Sequence, residues 1–212
     1  MRDFPIFTTT HGVASLTLKE IHYNGDAYIT VRDTSEPREL IEECLDFCRA
    51  VGAKRVFATG HSVLEEYPLY SVILKMRVAV ESLPEFDAAL FPVTEETLEQ
   101  WRNLYNEKMS SVPNAATMTK ADAKDMLERG EGYFVHKDGK LLGIGMVGKE
   151  TIKAIAAVEH GAGAQVLCTL CHGLLREHAE LEVAAENTRA MRLYERLGFM
   201  KTAEVSRWYK IF

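Results

Sequence analysis

Between residues 12 and 22, and again between 26 and 31, apolar and polar side chains alternate, the period of strands with one buried face. Asn24-Gly25 between the two runs predicts a tight hairpin. The period then lengthens. Leu40, Ile41, Cys44, Leu45 and Cys48 form one stripe, which predicts a helix over about 36–51. Thr34 or Ser35 can cap it, Pro37 fits its first turn and Gly52 ends it. Residues 55–59 read as a short buried strand and 70–80 as a longer one.

After a connector at 81–92 that carries two prolines, the pattern restarts. Thr94 predicts the cap of a helix reaching about 109, and Thr119 with Asp122 resembles a capping box for a helix over 121–129. Residues 132–136 and 140–147 predict a hairpin turning at Asp138-Gly139, and 151–157 an apolar central strand. A glycine-containing loop at 160–163, an apolar helix to about 178, a strand at 181–184, a helix over 188–197 and a strand at 203–211 complete the reading.

Composition narrows the classes. With 47% hydrophobic and 26% charged residues among 212, the chain reads as globular and is long enough for one large domain or two small ones. A net charge of −6 argues against a non-specific nucleic-acid binder and leaves a weak preference for amine-bearing partners. The longest apolar stretch, 154–175, is interrupted by Glu159, His160 and glycines, so a buried strand–loop–helix fits it better than a membrane span. The opening MRDFPIFTTTHG lacks the pattern of a signal peptide, and a cytoplasmic protein without membrane or nucleic-acid partners is expected. Cys44/Cys48 and Cys168/Cys171 sit at helical spacings within apolar runs. They read as small buried hydrophobes, and no metal is expected.

Two segments carry chemistry. In the first, Ile155-Ala156-Ala157-Val158-Glu159-His160-Gly161-Ala162-Gly163-Ala164-Gln165, a strand passes through small residues into a helix. Glycines let a ligand approach the backbone, and the free N–H groups at a helix start, with the helix dipole, favour an anion such as a pyrophosphate. The same composition also serves tight packing of a helix on a strand. The second segment is Leu181-x-Val183-x-x-x-Asn187-x-x-Ala190-x-x-Leu193-Tyr194-x-x-x-Gly198-Phe199.

This second run resembles, at each of those positions, the C-terminal signature of the GNAT superfamily of acyl-CoA-dependent N-acetyltransferases. The loop before it aligns with that family's pyrophosphate segment, usually Arg/Gln-x-x-Gly-x-Gly/Ala, here His160-x-x-Gly163-x-Gln165. In element order the resemblance covers about 91–212, and its motifs lie within 155–199. It implies an α/β (α+β) fold with a mixed, mostly antiparallel sheet flanked by helices, preceded by an N-terminal α/β segment. The domains implied are 1–90 and 91–212. The N-terminal segment repeats the hairpin–helix–strand order of the other in outline, either as a degenerate GNAT-like half or as a family-specific extension.

The resemblance also implies roles. Two parallel strands splay to admit pantetheine, with Ile155 and Ala157 in contact. The amides of Gly161, Ala162, Gly163, Ala164, Gln165 and Val166, with His160 beside them, hold the pyrophosphate. Asn187 contacts the pantetheine region, caps the helix at Thr188, or does both. Tyr194 is the general acid for the departing thiolate, against the reading of a packed tyrosine. Glu159 is the candidate base, with His160 and Glu150 as alternatives. Substrate contacts come from the two helices after residue 91 and the 110–118 loop, with Trp101 and Tyr105 as walls or as core. The function implied is transfer of an acetyl group from acetyl-CoA, as co-substrate, to a primary amine of a small molecule or protein, by direct attack in a ternary complex of a monomer or homodimer. The alternatives are a catalytically inactive GNAT-like CoA-binding or interaction module, favoured by His160 and Gln165, and a nucleotide-binding α/β fold, disfavoured by the glycine spacing.

Overall fold

The computed structural model describes residues 5–212. Its strands are β1 (Ile6–Thr8), β2 (Gly12–Thr17), β3 (Asp26–Thr34), β4 (Arg55–Thr59), β5 (Leu69–Ala79), β6 (Ala89–Pro92), β7 (Gly132–Lys137), β8 (Lys140–Val147), β9 (Thr151–Ala157), β10 (His178–Ala184) and β11 (Met200–Lys210). Its α-helices are α1 (Ile21–Asn24), α2 (Pro37–Ala50), α3 (Leu98–Met109), α4 (Lys120–Glu128), α5 (Gly163–Leu174) and α6 (Thr188–Arg196). They form two compact units, one of the residues up to Val72 with Val205–Phe212, the other Ile73–Glu204. The boundary read from the sequence, 90/91, lies inside the second unit.

In the first unit β2 pairs antiparallel with β1 and β3, β3 pairs parallel with β4, and β4 pairs antiparallel with Tyr209 and Lys210 of β11. Alternation along β3 sends Ala27, Ile29 and Val31 to one face, where the α2 stripe of Leu40, Ile41, Cys44 and Cys48 buries against them with Ala14, Leu16, Val56 and Ala58. On the other face Tyr28 stacks on Phe57 at 5.3 Å, and Asp26 takes both ends of the Arg55 guanidinium at 2.6 and 2.9 Å. The tight hairpin expected at Asn24-Gly25 is absent. A single helical turn, α1, stands there instead, closed by Gly25 at φ +84° with its N–H on the Ile21 carbonyl. Asn and Gly serve a left-handed helix cap as readily as a two-residue turn, so the dipeptide alone does not choose between them.

The second unit is built on strands in the order β5-β10-β9-β8-β7-β6, with β10 and β9 parallel and their neighbours antiparallel. Trp101, Tyr105, Ala123 and Met126 of α3 and α4 bury against Phe134, Ile144 and Ala156. Helix α5 covers the opposite face, which Gly143 and Gly145 keep flat: a β-carbon at Gly143 would stand 2.7 Å from Val166, and one at Gly145 would collide with Leu170. The β7–β8 hairpin turns at Asp138-Gly139, both at positive φ, as the sequence predicts.

Three element ends differ from the periodicity reading. Helix α3 starts at Leu98, because a turn holds Thr94 and Thr97 together (Thr94 N–H to Thr97 Oγ1, 2.9 Å) and Thr97 is the flanking residue. Helix α5 stops at Leu174, and His178 already pairs with Ala79, since Ala179, Leu181 and Val183 alternate inward as a strand. Strand β11 begins at Met200. The Thr119–Asp122 capping box forms with both of its bonds. No helix among the described residues is long and apolar enough to cross a membrane.

Candidate functional site

The chemistry-bearing segments meet at a fork in the second unit. Strands β9 and β10 pair only through Thr151–Glu180 and Ile152–Leu181, then part. A bulge explains the parting. The β8–β9 register passes from Met146–Ala154 to Val147–Ile152, which leaves Lys153 as an extra residue in β9. Bulges bend and twist a strand. The Lys153 ammonium is held by Glu131 at 2.5 Å. Beyond the bulge, the Val158 N–H bonds the Leu142 carbonyl at 2.8 Å. By alternation the backbone groups of Ala154 and Ala156 also face β8, and those of Ile155 and Ala157 face the open side of the fork. Those two residues are half-buried.

The strand then runs through the loop into α5, where backbone donors gather. The Ala162 N–H is taken by the Glu159 carbonyl (3.2 Å) and the Val166 N–H by Ala162 (2.9 Å). The amides of His160, Gly161, Gly163, Ala164 and Gln165 have no such acceptor among the described residues. The first turn of α5 carries no acidic residue. Free donors, the positive end of the helix dipole and a first turn without acidic residues make this helix start fit an anion. Val166 itself is fully buried, so it supports the loop from below. Gln165 is half-buried, and the side chains of Glu159 and His160 are exposed, with no ion pair among the described residues.

Helix α6 closes against this start. Gly163 approaches Leu193 closely enough that a β-carbon there would lie 3.1 Å from Cδ2. Asn187 caps α6 through its Oδ1, which accepts the Ala190 N–H at 3.2 Å. Tyr194 is 8% exposed and packs on Phe199 at 5.6 Å, and its hydroxyl makes no hydrogen bond among the described residues. Burial pushes its phenol up to about 12, so it is protonated at neutral pH.

The first unit repeats the arrangement without the opening. Its β2–β3 antiparallel pair, α2 and parallel β4 follow the order of β8, β9, α5 and β10. Here the parallel strands stay together over five register pairs, Asp26–Arg55 to Thr30–Thr59. The entry to α2 is also closed to an anion. The Ser35 N–H bonds the His11 carbonyl, the Glu36 N–H bonds Thr34 Oγ1, Pro37 has none, and Glu36 and Glu39 bring negative charge.

Trp101 and Tyr105 lie in the core, with the indole N–H on the Tyr133 carbonyl and the Tyr105 hydroxyl on Ala116. Cys168 and Cys171 are fully buried on α5, their thiols pushed up by burial to about 11 and 12, so neither is a ready nucleophile. Among the described residues no group of His, Cys, Asp and Glu is arranged to hold a metal ion. Sequence reasoning missed the bulge at Lys153 and the anchoring of the fork at Glu180. The only local sign of the first is a lysine within an otherwise apolar strand.

No protein-family model and no curated protein matches the chain. Solved structures do match in fold. A conserved protein of unknown function from Staphylococcus epidermidis superposes with a TM-score of 0.63 at 12% identity, over 99% of this chain and 94% of that one. An acetyltransferase of the GNAT family from Colwellia psychrerythraea gives 0.52 at 14%, over 96% and 84%. A tandem GNAT protein from the clavulanic acid biosynthesis pathway gives 0.51 at 12%, over 94% and 78%. The chain therefore has a GNAT-like fold, a mixed α/β arrangement with its fork in the second unit.

Proposed function

We propose that the protein is an N-acetyltransferase that moves an acetyl group from acetyl-CoA to a primary amine. The observation that carries this reading is the fork: β9 leaves β10 after Ile152 and runs on, open on that side, through the loop to a start of α5 with unpaired amides. A pantetheine chain is an extended amide that can pair with the free backbone of Ile155 and Ala157, while its pyrophosphate meets the amides of His160, Gly161, Gly163, Ala164 and Gln165. Gly161 and Gly163 leave room for that approach.

The residues then suit direct attack. Holding amine and thioester together removes the entropic cost of their encounter, and an N–H at the open edge of β9 polarises the carbonyl. The amine nitrogen bonds to the carbonyl carbon, Glu159 takes the proton released from nitrogen and passes it to solvent, and the carbon–sulfur bond breaks. Tyr194 delivers a proton to the departing sulfur and recovers it from solvent. A phenol near 12 is a weaker acid than a thiol, so its transfer follows the build-up of charge on sulfur. The acceptor is an amine of a small molecule or of a protein.

The test is an acetylation assay across a panel of primary amines, read as free thiol released from acetyl-CoA. Amine-dependent thiol release supports the reading. Binding of acetyl-CoA with no release across the panel would favour an inactive CoA-binding module, which the His160 and Gln165 side chains in the loop also suit.

A further inference from the structure

Strand β10 has two edges with opposite duties. Towards β9 it pairs through two residues and then stands free. Towards β5 it pairs along its whole length, from His178–Ala79 to Ala184–Ile73, seven register pairs without a break. A strand that leaves one neighbour open must be held by the other, because unpaired backbone groups otherwise seek partners. The holding strand comes from the first ninety residues of the chain, where no catalytic side chain was found.

We infer that residues 73–79 act as a brace that keeps the fork open, and that Glu180 is the positioning residue that ties the brace to the fork for acyl-CoA binding. Glu180 stands where the three strands meet. Its backbone N–H donates to the Glu150 carbonyl at 3.1 Å, in the short stretch where β9 and β10 still pair. Its carboxylate takes Lys75 Nζ at 2.6 Å and Arg77 Nε at 3.8 Å, one diagonal and one directly opposite on β5. The Lys75 carbonyl, in turn, accepts the Thr202 hydroxyl at 3.2 Å. One residue thus fixes β10 to β9 through its backbone and to β5 through its side chain. The backbone ladder to β5 carries most of the hold on β10, and the Glu180 tie adds resistance to sliding and to closure on Ile155 and Ala157. The inference rests on the proposed acyl-CoA site for its ligand, and not for its structural half.

The test uses the full chain. Glu180→Lys sets like charges at the fork. It should weaken acetyl-CoA binding about five-fold by calorimetry, and speed hydrogen–deuterium exchange of the peptide covering 178–184 while α3 and α4 keep their protection. Adding Lys75→Glu to that variant should restore most of both, because the diagonal pair returns with its signs exchanged. If Glu180→Lys does not fold, Glu180→Gln replaces it, with about a two-fold loss expected. Unchanged exchange over 178–184 overturns the brace whatever the ligand does. Weaker binding that Lys75→Glu fails to rescue overturns the role of Glu180. If the unaltered protein binds no acetyl-CoA, the proposed function fails, and the exchange data still decide the brace.

Discussion

A β-carbon placed on Gly163 would stand 3.1 Å from Leu193 Cδ2. The two family-like segments therefore touch, the loop through its glycine and the α6 motif through its leucine. Gly163→Val should push α6 away from the start of α5 and weaken acetyl-CoA binding about ten-fold, with little change in overall secondary structure. Leu193→Ala in the same chain should recover part of the loss, since it removes the methyl in the way. Calorimetry on the three variants checks this, and an unaffected Gly163→Val would show that the contact is not tight.

Tyr194→Phe removes a hydroxyl that makes no hydrogen bond among the described residues, so stability should not fall. Loss of a general acid should lower kcat by about a hundred-fold or more, with acetyl-CoA affinity unchanged. Steady-state kinetics beside a binding titration separates the two. Unchanged turnover would leave Tyr194 as a packing residue only.

Four buried thiols and the phenols of Tyr194 and Tyr28, all raised first by burial, set the alkaline limit of stability. Burial pushes Cys44 and Cys171 up to about 12, Cys48 and Cys168 to about 11, and Tyr194 to about 12. Each pKa is raised in the folded state, so each contribution is whole below the ordinary value, 9.0 for the thiols and 10.0 for the phenols, and is lost as pH rises through the folded value. Melting temperature should hold to about pH 9 and then fall steadily towards 11. Thermal melts from pH 7 to 11 check the sign. A thiol reagent at neutral pH should leave the native protein unlabelled until it is unfolded.

Asn187 separates two roles that the sequence leaves together. Its side chain caps α6, so Asn187→Ala should cost about 1 kcal/mol and lower Tm by about 2–4 °C. Asn187→Ser keeps a capping oxygen and should recover most of that stability. If the serine variant recovers Tm and not acetyl-CoA affinity, Asn187 also touches the ligand.

Much of this was legible in the chain. Strands 55–59 and 151–157, the helix stripe of Leu40 to Cys48 and the Thr119 capping box are local features, set by side-chain period and cap chemistry. The Asn187 cap and the free amides of Gly161, Gly163, Ala164 and Gln165 follow from the same local rules, while those of Ala162 and Val166, expected beside them, are bonded within the loop and helix. The turn at Asn24-Gly25 misled because one dipeptide suits two left-handed geometries. The end of α5 misled because pairing of His178 with Ala79, a partner ninety-nine positions away, decides it (178 − 79 = 99). The fork itself depends on one extra residue at Lys153 and on which strand borders β10, and neither is a local property.

The central claim is that the second unit holds one open acyl-CoA cleft and the first unit a closed copy of it. Calorimetric titration of the full chain with acetyl-CoA tests it most directly. The fork and free amides at β9–α5 predict one molecule bound per chain, with a rise in melting temperature on saturation. Two molecules per chain would contradict the zipped β3–β4 pairing as a closed cleft, and no binding at saturating concentration would contradict the account as a whole.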